Sequence, residues 1–273
     1  MNTKQHRLHA LLLRGCAVGY IVLLILLPVS AICLSCIRSR MGTVFSALGR
    51  PQALHALQLT LITACGMVVV NILLGTAMAW ILVRYDFPGK QLVNALIDLP
   101  FAIPTVVTGI MLVTLYGPTS VAGAFFSSLG IDIIYAKPGI ILALIFVSFP
   151  FVVRAVQPVL LEMDRDMEEA AHTLGATPWY TFRRVVLPPL IPAILSGATL
   201  SFSRALGEFG AIVMVAGNIP FHTQVASVFI YGEIEGDNIP GALAVSLVLL
   251  ALSFLVLLVL NLLQRKVANE NIL

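Results

Sequence analysis

Apolar residues occur along this chain in long runs that short polar segments separate. A run of about 20 apolar residues crosses a hydrocarbon core roughly 30 Å thick as an α-helix. The sequence therefore predicts an all-α integral membrane protein in which residues 1–273 form a single transmembrane domain. Six transmembrane helices are expected, with limits of about 15–37, 57–83, 92–116, 139–161, 188–216 and 241–263.

The composition supports this prediction, since 59% of the residues are hydrophobic, 11% are charged and the mean hydropathy is +0.99. A soluble domain carries roughly 25% charged residues. An ordinary soluble protein and a disordered chain are therefore excluded. The 4 cysteines lie within predicted helices or at a helix end, where small apolar packing is the favoured interpretation over a redox or disulfide role.

The distribution of basic residues indicates the orientation of the chain in the membrane. Most lysines and arginines fall in the N-terminal segment and in the loops on the same side, which predicts that both termini are cytoplasmic. A basic N-terminus before an apolar run also fits a cleaved signal peptide. The run here is longer than a signal core, so a retained first helix is favoured.

The most informative polar segment is the predicted cytoplasmic loop 162–187. Its first half has apolar residues three and four positions apart, which predicts an amphipathic helix. Gly175 is expected to end that helix, and Thr177 and Pro178 to begin a second one that Pro188 closes. The apolar positions of the first helix are Leu160, Met163, Met167, Ala170, Ala171 and Leu174.

Two interpretations of this helix pair are open on periodicity alone: a surface helix in the lipid headgroup layer, or a docking element for a protein. The acidic residues Asp164, Asp166, Glu168 and Glu169 favour the protein partner, because anionic headgroups would repel them.

The loop resembles the EAA loop of ABC importer permeases. The resemblance rests on Glu169-Ala170-Ala171, on Gly175 and on Leu187-Pro188, with a valine where the pattern usually has isoleucine. In that family the loop forms coupling helices that insert into a cleft of a separate ATPase subunit. The resemblance implies this role for the segment and the type I importer permease fold for the chain.

Three further segments extend the resemblance to the sulfate and thiosulfate permeases of the CysT type. They are Asp98–Pro104, Phe149–Pro158 and Arg204–Pro220, and the last of them is also similar to molybdate permeases. The expected function is thus that of a sulfate or thiosulfate permease, and a homodimeric molybdate or tungstate permease is the alternative.

The resemblance also implies the partners and the location. The partners are a second, related permease subunit, two ABC ATPase subunits and a periplasmic or lipid-anchored substrate-binding protein. The location is the bacterial cytoplasmic (inner) membrane. Membrane lipid is the remaining contact, and no nucleic acid is expected.

No enzymatic centre is expected in this chain. It lacks the G-x-x-x-x-G-K-[ST] loop that cradles nucleotide phosphates, so ATP and magnesium are assigned to the partner ATPase and no cofactor or metal to this chain. The histidines are scattered, and no catalytic constellation occurs.

Arg204 and Glu208 stand four residues apart within a predicted transmembrane helix, where isolated charges are costly. One interpretation is a structural ion pair. The other places Arg204 on the translocation path of an anion, with Glu208 orienting it and Gly207 and Gly210 permitting close helix approach or a local break. An ion-coupled secondary anion transporter built on this pair is a less favoured alternative function.

A doubled motif, Leu-Pro-x-x-Ile-Pro, occurs at Leu99–Pro104 and Leu187–Pro192. The prolines shape helix entry, or they mark paired gate helices in which Thr105 and Thr108 offer hydroxyl groups to the passing anion. Asp98 is interpreted as a cap of the third helix.

Overall fold

The computed structural model describes residues 3–38 and 46–270, with side chains described for 12–37, 46–262 and 264. The described residues contain helices and no strands, so the all-α prediction is confirmed. The helices are α1 (Thr3–Ile21), α2 (Leu27–Arg38), α3 (Pro51–Arg84), α4 (Lys90–Ala102), α5 (Thr105–Tyr116), α6 (Val121–Ser128), α7 (Lys137–Glu162), α8 (Asp166–Thr173), α9 (Pro178–Thr181), α10 (Leu187–Leu206), α11 (Gly210–Ala216), α12 (Ala226–Glu235) and α13 (Ile239–Glu270). One π-helical turn, Val22–Leu26, joins α1 to α2, and a second, Phe182–Val186, joins α9 to α10.

The core of the protein is the mutual packing of α3, α7 and α10. Small residues permit the close approach, since a methyl group at Gly197 of α10 would meet the backbone of Val152 on α7 at 2.7 Å. Asn71 on α3 donates to the hydroxyl oxygen of Ser148 on α7 at 2.9 Å, and Ser201 on α10 donates to the carbonyl of Ser148 at 3.1 Å. These buried polar contacts fix the relative positions of three apolar helices, whose surfaces alone would permit sliding.

Five helical segments of the described chain are long and apolar enough to cross a membrane, and α4 with α5 makes a sixth if the bent pair counts as one span. Burial differs strongly among them, with 56% of the apolar window of α7 buried but only 11% for α13 and 6% for the N-terminal span. The N-terminal span and α13 therefore present most of their surface to lipid or to other subunits. Both termini lie outside the described residues, at 1–2 and 271–273, and their cytoplasmic location stays a prediction.

The predicted helix 92–116 is instead two helices, and this part of the prediction is corrected. The axes of α4 and α5 meet at 115° across Ile103 and Pro104. Ile103 has extended backbone angles (φ −83°, ψ 128°), because a following proline disfavours the helical conformation. Pro104 lacks an amide hydrogen and cannot continue the hydrogen-bond ladder.

The predicted helix 188–216 also differs at both ends. It ends at Leu206, and the helical conformation resumes only at Gly210 as α11. At its start, Pro188 does not close the preceding helix, because the π turn Phe182–Val186 leads directly into α10. Leu187 donates its amide hydrogen five residues back, to Phe182, and this wider turn accommodates the carbonyl groups that Pro188 and Pro189 leave unpaired.

Candidate functional site

The loop 162–187 contains the two short helices expected from the sequence. The acidic first turn of α8 lies at the positive end of its helix dipole. Gly175 has φ +81° and ends the helix, and the amide of Ala176 donates to the carbonyl of Ala171 at 3.0 Å. The side chain of Thr177 accepts a hydrogen bond from the Tyr180 amide and so caps α9. The sequence therefore builds a sharp turn between two helices.

The tip of this loop exposes large apolar side chains. Leu174 is 88% exposed and Trp179 69%, and Met167 and Tyr180 are also exposed. No residue of α8 is buried, Ala170 is exposed and Ala171 is half-buried. The predicted apolar stripe is therefore corrected: Leu160 and Met163 belong to the end of α7 and pack into the core, whereas Met167, Ala170 and Leu174 are exposed. Exposed clusters of Trp, Tyr, Met and Leu are typical of interaction surfaces.

Two adjacent carboxylates of the loop, Glu168 and Glu169, face different environments. Glu168 pairs with Arg84 at the end of α3, with 2.6 Å between carboxylate oxygen and guanidinium nitrogen. Glu169 is exposed and forms no ion pair with any described residue. Leu187 and Pro188 lie away from the tip, where they are half-buried at the start of α10. The structure thus separates the tip residues of the predicted coupling site from its Leu-Pro element.

A second region of interest is the pair of chain breaks, Ile103–Pro104 between α4 and α5 and Gly207–Phe209 between α10 and α11. They lie together, since a methyl group at Gly210 would overlap the hydroxyl oxygen of Thr105. Along α4 the first break is about 20 Å from Lys90, within the hydrocarbon thickness of roughly 30 Å. Non-helical backbone at such a depth is tolerated only where protein covers it or water reaches it. The paired breaks therefore face a protein partner or an aqueous passage.

Arg204 and Glu208 form an ion pair beside these breaks, with 2.7 Å between guanidinium and carboxylate. The carboxylate is 1% exposed and also accepts a hydrogen bond from the amide of Ala211, at 2.8 Å, in the first turn of α11. Glu208 thus connects Arg204 in the last turn of α10 to the first turn of α11. The side chain of Arg204 is 33% exposed and keeps donors available on its open side.

The two threonines proposed for anion contact differ in accessibility. Thr105 is the first residue of α5 and is half-buried, whereas Thr108 is 1% exposed, one turn further into the helix. Of these two threonines, Thr105 therefore has accessible surface beside the breaks and Thr108 does not.

Asp98 does not cap the third helix, and this interpretation is corrected. The cap position of α4 is Gly89, and Asp98 lies well inside the helix. Its carboxylate takes two hydrogen bonds from Arg154 on α7, at 2.7 and 2.6 Å. Arg154 also donates to the side chain and the carbonyl of Asn94 and to the side chain of Gln157. The sequence contains a signal for this network, since both partners lie in segments that carry the family resemblance.

A cleft of about 890 Å³ lies in the angle between α4 and α5, against α7. Its walls are almost entirely apolar, with Leu96, Val107, Met111 and Phe146 among the lining residues. Such a surface does not offset the loss of hydration of an oxyanion. The charged side of the breaks, beside Arg204, is the better environment for an anion.

Comparison with known proteins identifies the family. A family model described as "Binding-protein-dependent transport system inner membrane component" matches residues 71–269. The chain belongs to this family. As a member it is a multi-pass component of a transport system in the inner membrane and not an enzyme.

Two curated relatives of this permease component are similar over most of its length. One, from Zygnema circumcarinatum, is named probable sulfate transport system permease protein cysT and is 45% identical over 90% of this chain and 85% of its own. The other, from Synechocystis sp., is named sulfate transport system permease protein CysT and is 44% identical over 92% of this chain and 89% of its own.

A solved structure shows the fold. It is a bacterial ABC transporter involved in the import of the acidic polysaccharide alginate, with a TM-score of 0.78 at 20% identity and coverage of 96% of both chains. The permease component therefore has the ABC importer permease fold, and its family description makes it one component of a transport system.

Proposed function

We propose that this permease component carries sulfate or thiosulfate across the membrane as one subunit of an ATP-driven ABC importer. The names of both curated relatives support sulfate as the substrate class. The observation that carries the proposal is the uncovered tip of the loop 162–187, where Leu174 and Trp179 are exposed on a chain that has no nucleotide loop of its own. Such a tip fits a groove in a separate ATPase subunit.

In the proposed assembly this chain pairs with a second, related permease, and each permease docks one of two ABC ATPase subunits, which hold ATP and magnesium. Glu169, Ala170, Ala171 and Gly175 form the inserted surface. The small side chains keep α8 thin enough for a groove, and the free carboxylate of Glu169 suits a basic residue of the partner. A periplasmic or lipid-anchored binding protein delivers the anion on the opposite face.

The proposed path of the anion runs beside the paired chain breaks. Arg204 is the charge that compensates a dianion there, and Thr105 offers a hydroxyl group at the start of α5. Glu208 repels an anion, but its buried carboxylate has one oxygen on the amide of Ala211 and the other on Arg204, so the open side of Arg204 is the side that an anion can reach. The buried end of the pair is therefore structural, and the exposed end is available for transport.

The test is uptake of labelled sulfate into vesicles that contain the co-purified complex, with and without ATP on the ATPase side and with molybdate as competitor. We expect uptake to require ATP and to persist after the proton gradient is collapsed. Unlabelled sulfate and thiosulfate should inhibit it at lower concentration than molybdate does. Inhibition by molybdate at far lower concentration than by sulfate would reassign the substrate to molybdate or tungstate. Loss of uptake on collapse of the gradient at constant ATP would indicate a secondary transporter.

A matched pair of variants tests the docking surface in the same vesicles. Ala170→Phe places a bulky group on the exposed face of α8, and Ala124→Phe places the same group on the exposed face of α6. We expect Ala170→Phe to lose the co-purified ATPase and Ala124→Phe to retain it. Equal retention in both variants would contradict insertion of α8 into the ATPase.

A further inference from the structure

The coupling helix α8 contributes no residue to the buried apolar core. It has 8 residues and none is buried, so the hydrophobic effect contributes little to its position. Two polar contacts join α8 and its cap residue to the membrane core. Glu168 binds Arg84, and the guanidinium of Arg165 donates to the carbonyl of Val83 at 3.2 Å. Both contacts lead to the last turn of α3.

Arg84 connects three helices at this point. One terminal guanidinium nitrogen donates to the carboxylate of Glu168 on α8 at 2.6 Å, and the other terminal nitrogen donates to the carbonyl of Leu160 near the end of α7 at 3.2 Å. The guanidinium carbon lies 5.5 Å from the ring centre of Trp80, one turn back on α3. The side chains of the ion pair are only 9% and 15% exposed, so water and salt screen the pair weakly.

An aromatic contact joins the second coupling helix to the same point. Trp80 meets the ring of Phe182 edge-on at 5.5 Å, and Phe182 stacks on Trp179 at 5.9 Å. The end of α3 therefore holds α8 through an ion pair and α9 through aromatic packing. In turn α3 packs along α7 and α10 and bonds to Ser148 through Asn71.

We infer that Arg84 and Glu168 are positioning residues that transmit the movement of the coupling helices to α3, and through α3 to the transmembrane core. The inference deepens the proposed function and rests on it, because the movement comes from the docked ATPase. Arginine suits this position, since a planar guanidinium binds a carboxylate and a carbonyl on different helices while its face covers an indole ring. An ammonium group keeps the charge but does not reproduce these three contacts. Removal of the contact between Arg84 and Glu168 should therefore reduce coupling and leave docking of the ATPase intact.

The experiment uses the complete complex in vesicles, with Arg84→Gln, Glu168→Gln, the double variant and Arg84→Lys. Four quantities are measured: co-purified ATPase, basal ATP hydrolysis, stimulation of hydrolysis by loaded binding protein, and uptake. We expect both single Gln variants to keep the first two within twofold of the native values and to lose at least tenfold in the last two. The double variant should lose no more than either single variant, because both residues act through one contact, and Arg84→Lys should lie between native and Arg84→Gln.

The matched control is the exposed ion pair Lys90–Asp86, at 2.8 Å, in the neighbouring loop. Lys90 lowers the pKa of the Asp86 carboxyl by a hydrogen bond and by its charge, and the charge of Arg165, the cap residue of α8, makes the smallest contribution. Lys90→Gln removes this ion pair and keeps Asp86 beside Arg165, so it should leave all four quantities unchanged.

Three results would overturn the inference. They are native stimulation of hydrolysis in either single Gln variant, a loss in the double variant that equals the product of the two single losses, and loss of the co-purified ATPase from either single Gln variant. If Arg84→Gln does not fold, Glu168→Gln and Arg84→Lys carry the test, and native stimulation in Glu168→Gln overturns the inference. Absence of ATP-dependent uptake in the native complex is a different result, which contradicts the proposed function itself.

Discussion

At the scale of single residues, glycines in the two functional regions are required for different reasons. Gly175 has φ +81°, a backbone conformation that favours glycine, although no atom lies within 4 Å of an added Cβ. Glycine is therefore required there by the backbone conformation and not by a lack of space. Gly210 has the opposite requirement, since an added methyl group would overlap Thr105. The sequence predicts the first case from the helix pattern around it. It predicts a close helix approach at Gly210 but not the partner, because the neighbour comes from a helix about a hundred residues away.

Gly175→Ala should weaken coupling by straining the turn between α8 and α9. An L-residue in the left-handed region costs roughly 1–2 kcal/mol, which shifts the loop toward other conformations. We expect a severalfold loss of ATP-dependent uptake, measured in vesicles at equal amounts of complex. Gly130→Ala is the matched control, because Gly130 has φ +76° and open surroundings but follows α6, away from the coupling loop. Equal losses in both variants would attribute the effect to general destabilisation.

Arg204 and Glu208 should respond differently to neutralisation. Arg204→Gln leaves a carboxylate that is 1% exposed without its partner, at a cost of about 3–5 kcal/mol for a buried charge. Glu208→Gln retains an oxygen that accepts from Ala211, and the remaining guanidinium is partly solvated. Thermal unfolding in detergent should therefore rank the native protein first, Glu208→Gln second and Arg204→Gln last.

The double variant Arg204→Gln/Glu208→Gln separates the structural role from the transport role. It buries no unpaired charge, so it should unfold close to the native temperature. If Arg204 compensates the anion on the path, uptake in this stable double variant falls at least tenfold. Native uptake would restrict the pair to a structural role.

At the scale of elements, one sequence motif forms two different structures. The segments Leu99–Pro104 and Leu187–Pro192 share Leu-Pro-x-x-Ile-Pro, yet the first breaks the helix at its last proline and the second remains helical. The difference lies in packing. The second segment begins α10, which lies against α7 and α3, whereas α4 exposes Leu96, Leu99 and Phe101 and has little cover that would keep it straight. The local sequence marks where a helix can bend, and tertiary contacts decide whether it does.

The exposed tip of the coupling loop should depend on Trp179. A tryptophan that is 69% exposed buries a large apolar area when a groove receives it. We expect Trp179→Ala to weaken binding of the ATPase about tenfold or more, that is by about 1.4 kcal/mol or more. Titration of the purified permease complex with ATPase subunits measures this affinity.

Phe125→Ala is the control for the tip, because Phe125 is 60% exposed on α6, outside the coupling loop. The affinity of the Phe125→Ala permease complex for the ATPase should equal the native value. A Trp179→Ala protein that binds as tightly as the native one would remove α9 from the docking surface.

At the scale of the whole molecule, hydropathy predicts the approximate positions of the apolar segments but not the contacts that hold them together. Among the core helices, α3 matches a long run without charged residues before its last turn, whereas α7 contains Arg154 and α10 contains Arg204. The network around Arg154 lay outside this pattern, because Asp98 in isolation fits a helix cap and Arg154 fits a cytoplasmic helix end. Only the fold brings α4 against α7 and shows that the two charges belong to one contact. This contact anchors the bent pair α4 and α5, whose break borders the proposed path.

Arg154→Lys should therefore loosen the bent pair without affecting docking. An ammonium group has three donors and no fork, so it does not reproduce the five hydrogen bonds that Arg154 makes to Asp98, Asn94 and Gln157. The partners are partly exposed, so we expect a loss of about 1–2 kcal/mol in stability. Thermal unfolding should shift downward and uptake should fall severalfold, while the amount of co-purified ATPase stays native. Arg183→Lys is the control, since Arg183 is exposed and forms no ion pair with the described residues. Native unfolding and native uptake in Arg154→Lys would show that the position of α4 does not depend on this network.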